Sequence, residues 1–324
     1  MELPRVKIGL VGAGKMGILH LTKLLKLPQV EFVGVYEPNF EKTQELLNRF
    51  NVRTFSSFEE LLFFSEAVVI ASPTPTHFSL AKASLESGCH VLIEKPLCET
   101  VEEALTLDLL ALQKGLVCQV GFLERYRFQA LMAGQTIPFA AYLESQRLSV
   151  VVGREPSVDV ISDLMVHDID LILSLVKEEP VQITAEGFCV VTEYLDYARA
   201  KLEFSGGRTA VLTASRVAPK MVRGLKAVFD NYLCELDFIT NTKFLASPLT
   251  GEKKETDPIL FDALERQALS FVSSIQSHST PLISAQHGAK VIQVSKAIRE
   301  AIANKKGPLP IRRHLDSTLP IRGH

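Results

Sequence analysis

Tryptophan is absent from this chain of 324 residues, cysteine occurs five times, and neither sign of charge is in excess. The cysteines are widely spaced and form no Cys-x-x-Cys pair, which argues against a zinc knuckle, a dithiol redox site or a secreted disulfide scaffold. We expect them to be buried thiols in a reduced compartment. A net charge of −2 supplies no broad positive field for nucleic acid or an anionic membrane.

Long apolar runs are also missing. No stretch of ~20 uncharged apolar residues occurs, so we expect no membrane span. The apolar run Ile8–Gly14 lies between Glu2 and Lys15, which is not the layout of a signal peptide. The sequence therefore predicts a cytoplasmic protein, and its length predicts about two domains.

Up to residue 121, short apolar runs alternate with amphipathic segments. The runs are Val6–Val11, Phe32–Tyr36, Ala67–Ala71, His90–Ile93 and Leu116–Val120, and the helical segments are Met16–Leu27, Phe40–Phe50, Thr76–Ser87 and Val101–Lys114. This alternation predicts a doubly wound α/β domain with a parallel sheet. Gly88 and Gly115 are expected to end two of the helices.

After residue 121, segments with a period of two dominate. They are Ala141–Val151, Val181–Glu193, Ala198–Phe204, Thr209–Ser215, Leu225–Asp230 and Tyr232–Phe238, with helices at Val160–Val176, Pro258–Ser277 and Ser284–Asn304. They predict an α+β domain with a largely antiparallel sheet. The expected division is residues 1–121 for the nucleotide domain, 122–307 for a substrate and oligomerisation domain, and 308–324 for an extended tail.

A glycine-rich loop, Gly12–Gly17, reads Gly-x-Gly-x-x-Gly between the first strand and the first helix. Glu37 ends the second strand about 20 residues later, as a dinucleotide site requires. Gly12 allows the tight turn, Gly14 a close approach to the pyrophosphate, and Gly17 close helix packing. The first amides of the helix then face the phosphates, and Glu37 accepts hydrogen bonds from the ribose.

Glu37 also favours NAD over NADP. A carboxylate beside a 2′-phosphate would repel it, and Pro38-Asn39-Phe40 supplies no arginine to bind one.

Two loops follow predicted strands at the edge where a cofactor would lie. Ser72, Thr74 and His77 follow one strand, and Glu94 and Lys95 follow another. The alternatives are that Thr76 and His77 only begin the next helix, and that Lys95 pairs with Glu94 in solvent. The full expected cofactor set is Gly12, Gly14, Lys15, Met16, Gly17, Glu37, Ser72, Thr74, His77, Glu94 and Lys95.

Asp163, His167 and Asp170 are spaced i, i+4 and i+7, which places them on one face of a largely apolar helix. Buried polar groups need partners, and the hydroxyls of a substrate are candidates. An Asp–His pair that only stabilises the helix is the alternative. A metal site is not expected, because no further His or Cys completes a coordination sphere.

Together these motifs resemble the glucose–fructose oxidoreductase/inositol dehydrogenase (Gfo/Idh/MocA) family. The resemblance rests on the glycine loop, the Pro73–His77 turn, the Gly88–Pro96 segment and the Asp163–Asp170 helix. It implies a Rossmann domain followed by an open-faced α+β domain, with the substrate between them. It also implies that Lys95, Asp163 and His167 form the catalytic group.

The segments Val120–Tyr126 and Asp159–Asp170 further resemble the branch that contains UDP-N-acetylglucosamine 3-dehydrogenases. That branch commonly has His and Asn-Pro where this chain has Phe122 and Arg127-Phe128, and inositol dehydrogenases also carry Phe in this loop. We therefore expect oxidation at C3 of a UDP-N-acetylamino sugar, with an inositol or another free sugar as the alternative.

The expected substrate-binding residues are Arg125, Tyr126, Arg154, Asp163 and His167, with Arg125, Arg147 or Arg154 on a diphosphate. We expect His167, which ordinarily titrates near pH 7, to take the hydroxyl proton, and Lys95 to stabilise the alkoxide; the reverse assignment stays open. Apolar residues on both faces of segments such as Ala210–Ala214 predict a homodimer or homotetramer formed through the sheet. A non-catalytic sensor that binds NAD or a sugar is the rival class.

Overall fold

The structure, a computed structural model, describes residues 4–133, 140–150 and 158–304. Its first part alternates strands with helices. These elements are β1 Val6–Val11, α1 Lys15–Leu24, β2 Val30–Tyr36, α2 Phe40–Phe50, β3 Thr54–Phe55, α3 Phe58–Phe64, β4 Ala67–Ile70, α4 His77–Glu86, β5 His90–Ile93, α5 Val101–Lys114 and β6 Cys118–Val120. A 3₁₀ turn, Thr74–Thr76, leads into α4.

Strands β1 to β6 form a parallel sheet in the order β3-β2-β1-β4-β5-β6. The order changes direction between β1 and β4, and the carboxyl ends of the strands at such a point form a ligand-binding crevice. The predicted doubly wound parallel sheet is confirmed. The apolar pattern does not predict β3 and α3, because these elements span only two and seven residues.

The ends of α5 follow from its sequence. The Glu103 amide donates to Thr100 Oγ1 at 3.1 Å, and the Thr100 amide donates to Glu103 Oε2 at 3.2 Å, which is a capping box. At the other end Gly115 adopts φ +65°, the left-handed conformation that glycine takes without strain. Gly88 likewise follows α4 with φ +85°, so both predicted helix ends are confirmed.

The second part contains helices on one face of a broad sheet. Its elements are α6 Leu123–Met132, β7 Tyr142–Leu148, α7 Val166–Val176, β8 Pro180–Phe188, β9 Tyr197–Phe204, β10 Thr209–Ser215, β11 Val222–Val228, β12 Leu233–Asp237, β13 Thr242–Ala246, β14 Lys253–Glu255, α8 Ala263–Gln276 and α9 Ala285–Asn304. The strand order is β14-β13-β12-β11-β7-β10-β9-β8, and within the described part of this second sheet only the β7–β10 pair is parallel. The largely antiparallel sheet is confirmed.

A π-helical turn, Ile161–Met165, precedes α7. The predicted single helix at Val160–Val176 is therefore two elements of different winding. The wider turn changes the direction in which the side chains after it point, relative to those before it.

The outer face of the second sheet is polar. The exposed or half-exposed side chains on it include Glu144, Arg199, Lys201, Lys226 and Glu235, whereas Leu143, Ala200, Leu212 and Leu225 are buried on the inner face. Val211 does point outward but is only 7% exposed. The expected apolar outer face is therefore wrong. An apolar sheet face therefore does not support self-association, which stays a prediction.

The last two helices return to the first part of the chain. Phe271 and Val272 of α8 pack in one core with Ile8 of β1, and α9 packs against α5. The Val120 amide also donates to the carbonyl of Ile283 at 2.9 Å. The domain boundary at residue 121 stays a prediction, with α8 and α9 packed across it. The predicted tail, 308–324, lies outside the described residues.

None of the helices in the described part of the chain is long and apolar enough to cross a membrane.

Candidate active site

The glycine loop lies at the carboxyl end of β1 and leads into α1. Gly12 has φ +91°, and a Cβ there would lie 2.9 Å from the backbone of Ala71 and Ser72. A Cβ on Gly17 would lie 2.1 Å from the Gly12 carbonyl oxygen. At Gly14, by contrast, a Cβ would meet no described atom within 4 Å. The loop is thus tightly closed at both ends and open at its centre.

Helix α1 begins at Lys15, which is exposed, and Met16, which is half-buried. Gly14 is the N-cap, and no side chain in the described residues caps this helix. The first amides of α1 are consequently available to an anion at the helix N-terminus.

Glu37 is held beside this loop. Its Oε2 accepts a hydrogen bond from the Ala13 amide at 2.7 Å, and its Oε1 accepts one from the Asn39 amide at 3.0 Å. The carboxylate retains further lone pairs for the hydroxyls of a ligand. The sequence spacing therefore does bring Glu37 to the glycine loop.

The loop after β4 is organised by its own contacts. Ser72 Oγ lies 2.7 Å from Thr76 Oγ1, and Thr74 begins the 3₁₀ turn. His77 is buried, with Nε2 2.8 Å from the Ser72 carbonyl and Nδ1 2.9 Å from the Pro96 carbonyl. Because both ring nitrogens face protein carbonyls, the expectation that His77 contacts the dinucleotide is corrected: its ring instead joins two loops at the edge of the sheet.

Glu94 at the end of β5 is also engaged. His20 Nε2 of α1 lies 2.7 Å from Glu94 Oε1, and the Lys95 amide donates to Glu94 Oε2 at 3.2 Å. Both side chains are buried. The contact ties α1 to the strand end that carries Lys95, and Glu94 acts here as a positioning residue. Sequence reasoning missed His20; the signal was a histidine one turn beyond Gly17 on the sheet-facing side of α1.

Lys95, in the loop after β5, contacts Asp163 in the π-helical turn of the second part of the chain. Lys95 Nζ donates to the Asp163 backbone carbonyl at 2.9 Å and lies 3.7 Å from Oδ1 of the same residue. The peptide bond between Lys95 and Pro96 is cis. The two contacts of its Nζ hold Lys95, at the end of a strand of the first sheet, against the π-helical turn of the second half.

His167 follows the π-helical turn and packs edge-on against Phe122, with ring centroids 6.2 Å apart. Its Nδ1 is buried without a hydrogen-bond partner among the described residues. Burial lowers the pKa of His167 well below its ordinary value, and the positive charges of Lys95, Arg147, Arg223 and Arg127 lower it further. The expectation that His167 titrates near pH 7 is therefore wrong. The imidazole is neutral at that pH.

Asp170 does not join Asp163 and His167 on one face. The Asp163 side chain is 47% exposed, whereas Asp170 is fully buried and paired with Arg125. The π-helical turn breaks the regular i, i+4, i+7 relation, so the three-residue face predicted from the spacing is wrong.

The arginines expected on a diphosphate are committed elsewhere. Arg125 forms a bidentate pair with Asp170, and Arg147 is bound by Asp168 and Glu124, all of them buried. Those two assignments are corrected, because neither guanidinium has its fork free for a ligand.

Tyr126 of α6 is buried against α8, and burial raises the pKa of its phenol to about 12. That position removes it from the expected substrate set. Arg154 lies outside the described residues.

Within the described ranges, no group of three or more His, Cys, Asp or Glu side chains could hold a metal ion.

Three features define a dinucleotide-binding oxidoreductase. They are the doubly wound sheet, the open glycine loop with a carboxylate beside it, and the Lys–Asp–His cluster at the same crevice. Residues 6–122 match the oxidoreductase family with an NAD-binding Rossmann fold, and residues 144–228 match the Gfo/Idh/MocA C-terminal domain. The chain belongs to the Gfo/Idh/MocA oxidoreductase family.

Among curated relatives, the chain is 32% identical to UDP-N-acetylglucosamine 3-dehydrogenase of Acidithiobacillus ferrooxidans, over 92% of this chain and 97% of the relative. A solved structure of that enzyme superposes with a TM-score of 0.87 and covers 93% of this chain and 98% of the other. The chain is also 24% identical to scyllo-inositol 2-dehydrogenase (NAD(+)) of Bacillus subtilis, over 66% of this chain and 68% of the relative.

Proposed function

We propose that this protein oxidises a sugar hydroxyl to a ketone by hydride transfer to NAD, at C3 of a UDP-N-acetylamino sugar. The observation that carries the redox chemistry is the meeting of Lys95, Asp163 and His167 at the edge that also holds the glycine loop. The choice of sugar is supported by the relative from Acidithiobacillus ferrooxidans, which is 32% identical across nearly its whole length.

The residues fit a dinucleotide. The free space at Gly14 suits a pyrophosphate, and Glu37 beside the Ala13 amide suits a ribose diol. We propose NAD in preference to NADP, because Glu37 would repel a 2′-phosphate and Asn39, the N-cap of α2, offers no positive charge. When bound, the nicotinamide supplies the hydride acceptor.

The side chains divide the proton chemistry. His167 is neutral, and as an acceptor it takes the proton of the reacting hydroxyl. Lys95 stabilises the negative charge that develops on that oxygen, and the Asp163 carbonyl and carboxylate orient the ammonium group. The alternative in which Lys95 is the base differs in its pH dependence, which the pH profile of kcat/KM resolves.

An inositol or another free sugar is the second candidate substrate. Phe122, which packs against His167, matches the residue that inositol dehydrogenases carry in this loop. Two proteins named inositol 2-dehydrogenase, besides the Bacillus subtilis enzyme, are also relatives, at 28% and 25% identity over 56% and 66% of this chain.

The test is NADH formation, measured by absorbance, with UDP-N-acetylglucosamine, UDP-N-acetylgalactosamine, N-acetylglucosamine and the inositols. We expect a UDP-N-acetylamino sugar to give the highest kcat/KM and a 3-keto product by mass spectrometry and NMR. Oxidation of inositols alone would replace the substrate but keep the enzyme class. Thermal stabilisation by a sugar without any NADH would indicate the non-catalytic sensor instead.

We separately propose that the protein self-associates, although the outer face of its second sheet is polar. Light scattering at micromolar concentration tests it: a homodimer or homotetramer is expected, and a monomer would refute it.

A further inference from the structure

Arg223 is an arginine on the inner face of the second sheet. In the β7–β11 ladder its partner is Arg147, and along β11 it has the same alternation as Leu225 and Ala227, which are buried. It is therefore turned toward α7, which carries His167, and its charge is among those that lower the pKa of His167.

The neighbouring positive charges all have partners. Arg147 binds Asp168 and Glu124, and Lys95 binds Asp163. Arg127 Nη1 donates to the Phe238 carbonyl at 2.7 Å, and its Nε lies 3.9 Å from Glu124 Oε2.

Arg223 is different. Its guanidinium makes no hydrogen bond or ion pair within residues 4–133, 140–150 and 158–304. Glu124 and Asp168 act on Arg223 through their charge, but their oxygens bond to Arg147, so the guanidinium of Arg223 keeps its donors free among the described residues. Burial and repulsion by Arg147 lower the pKa of Arg223, which marks a site that is partly desolvated and already positive.

We infer that Arg223 binds a phosphate group of the substrate and selects phosphorylated sugars, including nucleotide sugars, over neutral polyols. This rests on the proposed oxidation of a sugar hydroxyl, and it names the class of sugar. A partly buried guanidinium without a bonded partner gains most from a charged acceptor, and its planar fork matches two phosphate oxygens. A phosphate on the anomeric carbon and the reacting hydroxyl are substituents of the same sugar ring. When the hydroxyl lies at His167, the phosphate can therefore reach a cation near that histidine.

The charge of Arg223 also affects the basicity of His167, the proposed base. A bound phosphate offsets one of the positive charges that hold the pKa of His167 down, so the imidazole becomes a stronger base when an anionic substrate is present. A neutral polyol gives no such increase.

The test compares Arg223→Gln with the control Lys226→Gln. Lys226 is on the same strand, but it is exposed on the outer face and paired with Glu235 at 3.1 Å. For a UDP-N-acetylamino sugar, Arg223→Gln is expected to raise KM by about tenfold or more, with a smaller change in kcat. KM for a neutral sugar should change less than about twofold, and Lys226→Gln should leave both unchanged.

Two further measurements separate this inference from the proposed function. Calorimetry with inorganic pyrophosphate should show binding to the wild type that is weakened in Arg223→Gln. The acidic limb of kcat/KM should move to higher pH in Arg223→Gln, because one of the positive charges facing His167 is removed while Lys95, Arg127 and Arg147 remain.

If no sugar reduces NAD but pyrophosphate binding still depends on Arg223, the proposed function fails and the anion site stands. If the UDP-sugar is oxidised with an unchanged KM and pyrophosphate binding is equal in both proteins, the inference is overturned and the function stands. Should Arg223→Gln fail to fold, Arg223→Lys decides: it retains the charge without the fork, so an intermediate KM supports the inference and a wild-type KM contradicts it.

Discussion

Arg125 and Asp170 form a buried bidentate ion pair, in which Nε lies 2.7 Å from Oδ2 and Nη2 lies 2.6 Å from Oδ1. A third bond joins Arg125 Nη1 to the Leu282 carbonyl at 3.2 Å. The pair therefore holds α6, α7 and the segment before α9 together. Since α7 carries His167 near its start, the same contact also fixes the helix that presents the proposed base.

Breaking this pair should destabilise the fold. Arg125→Met leaves Asp170 buried without a counter-charge, and such losses cost about 3–5 kcal/mol. We expect urea unfolding to show a fall of that size in the free energy of unfolding. Lys82→Met is the matched control: Lys82 is exposed, lies 3.8 Å from Glu86, and should change stability by no more than about 0.5 kcal/mol. Equal stability of Arg125→Met and wild type would contradict the structural role.

Two glycines of the same loop should respond differently to substitution by alanine. Gly17→Ala places a methyl group 2.1 Å from the Gly12 carbonyl oxygen, so α1 must shift and the melting temperature should fall. Gly14→Ala meets no described atom within 4 Å, so the melting temperature should hold while the methyl group occupies the space intended for the pyrophosphate. Calorimetry should show NAD affinity reduced by about tenfold or more in Gly14→Ala. Unchanged affinity would remove the pyrophosphate from this loop.

The fold was predictable where local pattern and tertiary environment agree. Strand β10 has the predicted limits, Thr209–Ser215, because its alternation and the flanking Gly206-Gly207 turn both mark them. Strand β14 has only three residues, and β13 reads Thr-Lys-Phe-Leu-Ala without alternation of polar and apolar residues, so the sequence pattern predicts neither. The π-helical turn at Ile161–Met165 is likewise invisible to a period of 3.6 residues.

The candidate site was predictable in its location but not in the partners of its charged groups. The meeting of Lys95 with Asp163, 68 residues apart, is expected only from the family resemblance, and spacing predicts only the place of Glu37 beside the glycine loop. Spacing does not reveal which carboxylate an arginine binds, since Asp170 is 45 residues from Arg125. A usable signal was present at Arg223, an arginine at an inward position of a strand between small or apolar neighbours.

Cofactor preference should depend on Glu37. The wild type should have a higher kcat/KM with NAD than with NADP, because the carboxylate repels a 2′-phosphate. Glu37→Ala removes that repulsion together with the bonds from the Ala13 and Asn39 amides, so activity with NAD should fall and the ratio of the two kcat/KM values should narrow. A wild-type preference for NADP would refute the assignment.

His167 should control the rate without controlling cofactor affinity. Among the described residues it makes no hydrogen bond to the nucleotide domain, and its buried Nδ1 has no partner. We expect His167→Ala to lower kcat by about 10²–10⁴-fold, the usual contribution of a general base, and to leave the dissociation constant of NAD unchanged. A kcat within about threefold of the wild type would rule out His167 as the base.

The pH dependence of kcat/KM is a second test of His167 as the base. The charges facing His167 are those of Lys95 from the nucleotide domain, Arg127 from α6, and Arg147 and Arg223 from the sheet, with Asp168 and Glu124 bound to Arg147. Burial, and after it these cations, lower the pKa of His167, so the base is already deprotonated at neutral pH. In the free enzyme kcat/KM should stay level as pH falls through 6.5, the ordinary value for histidine, and decline only below it. His167→Ala should lose that acidic limb. If the variant keeps the limb at an unchanged pH, the proton goes to Lys95 instead.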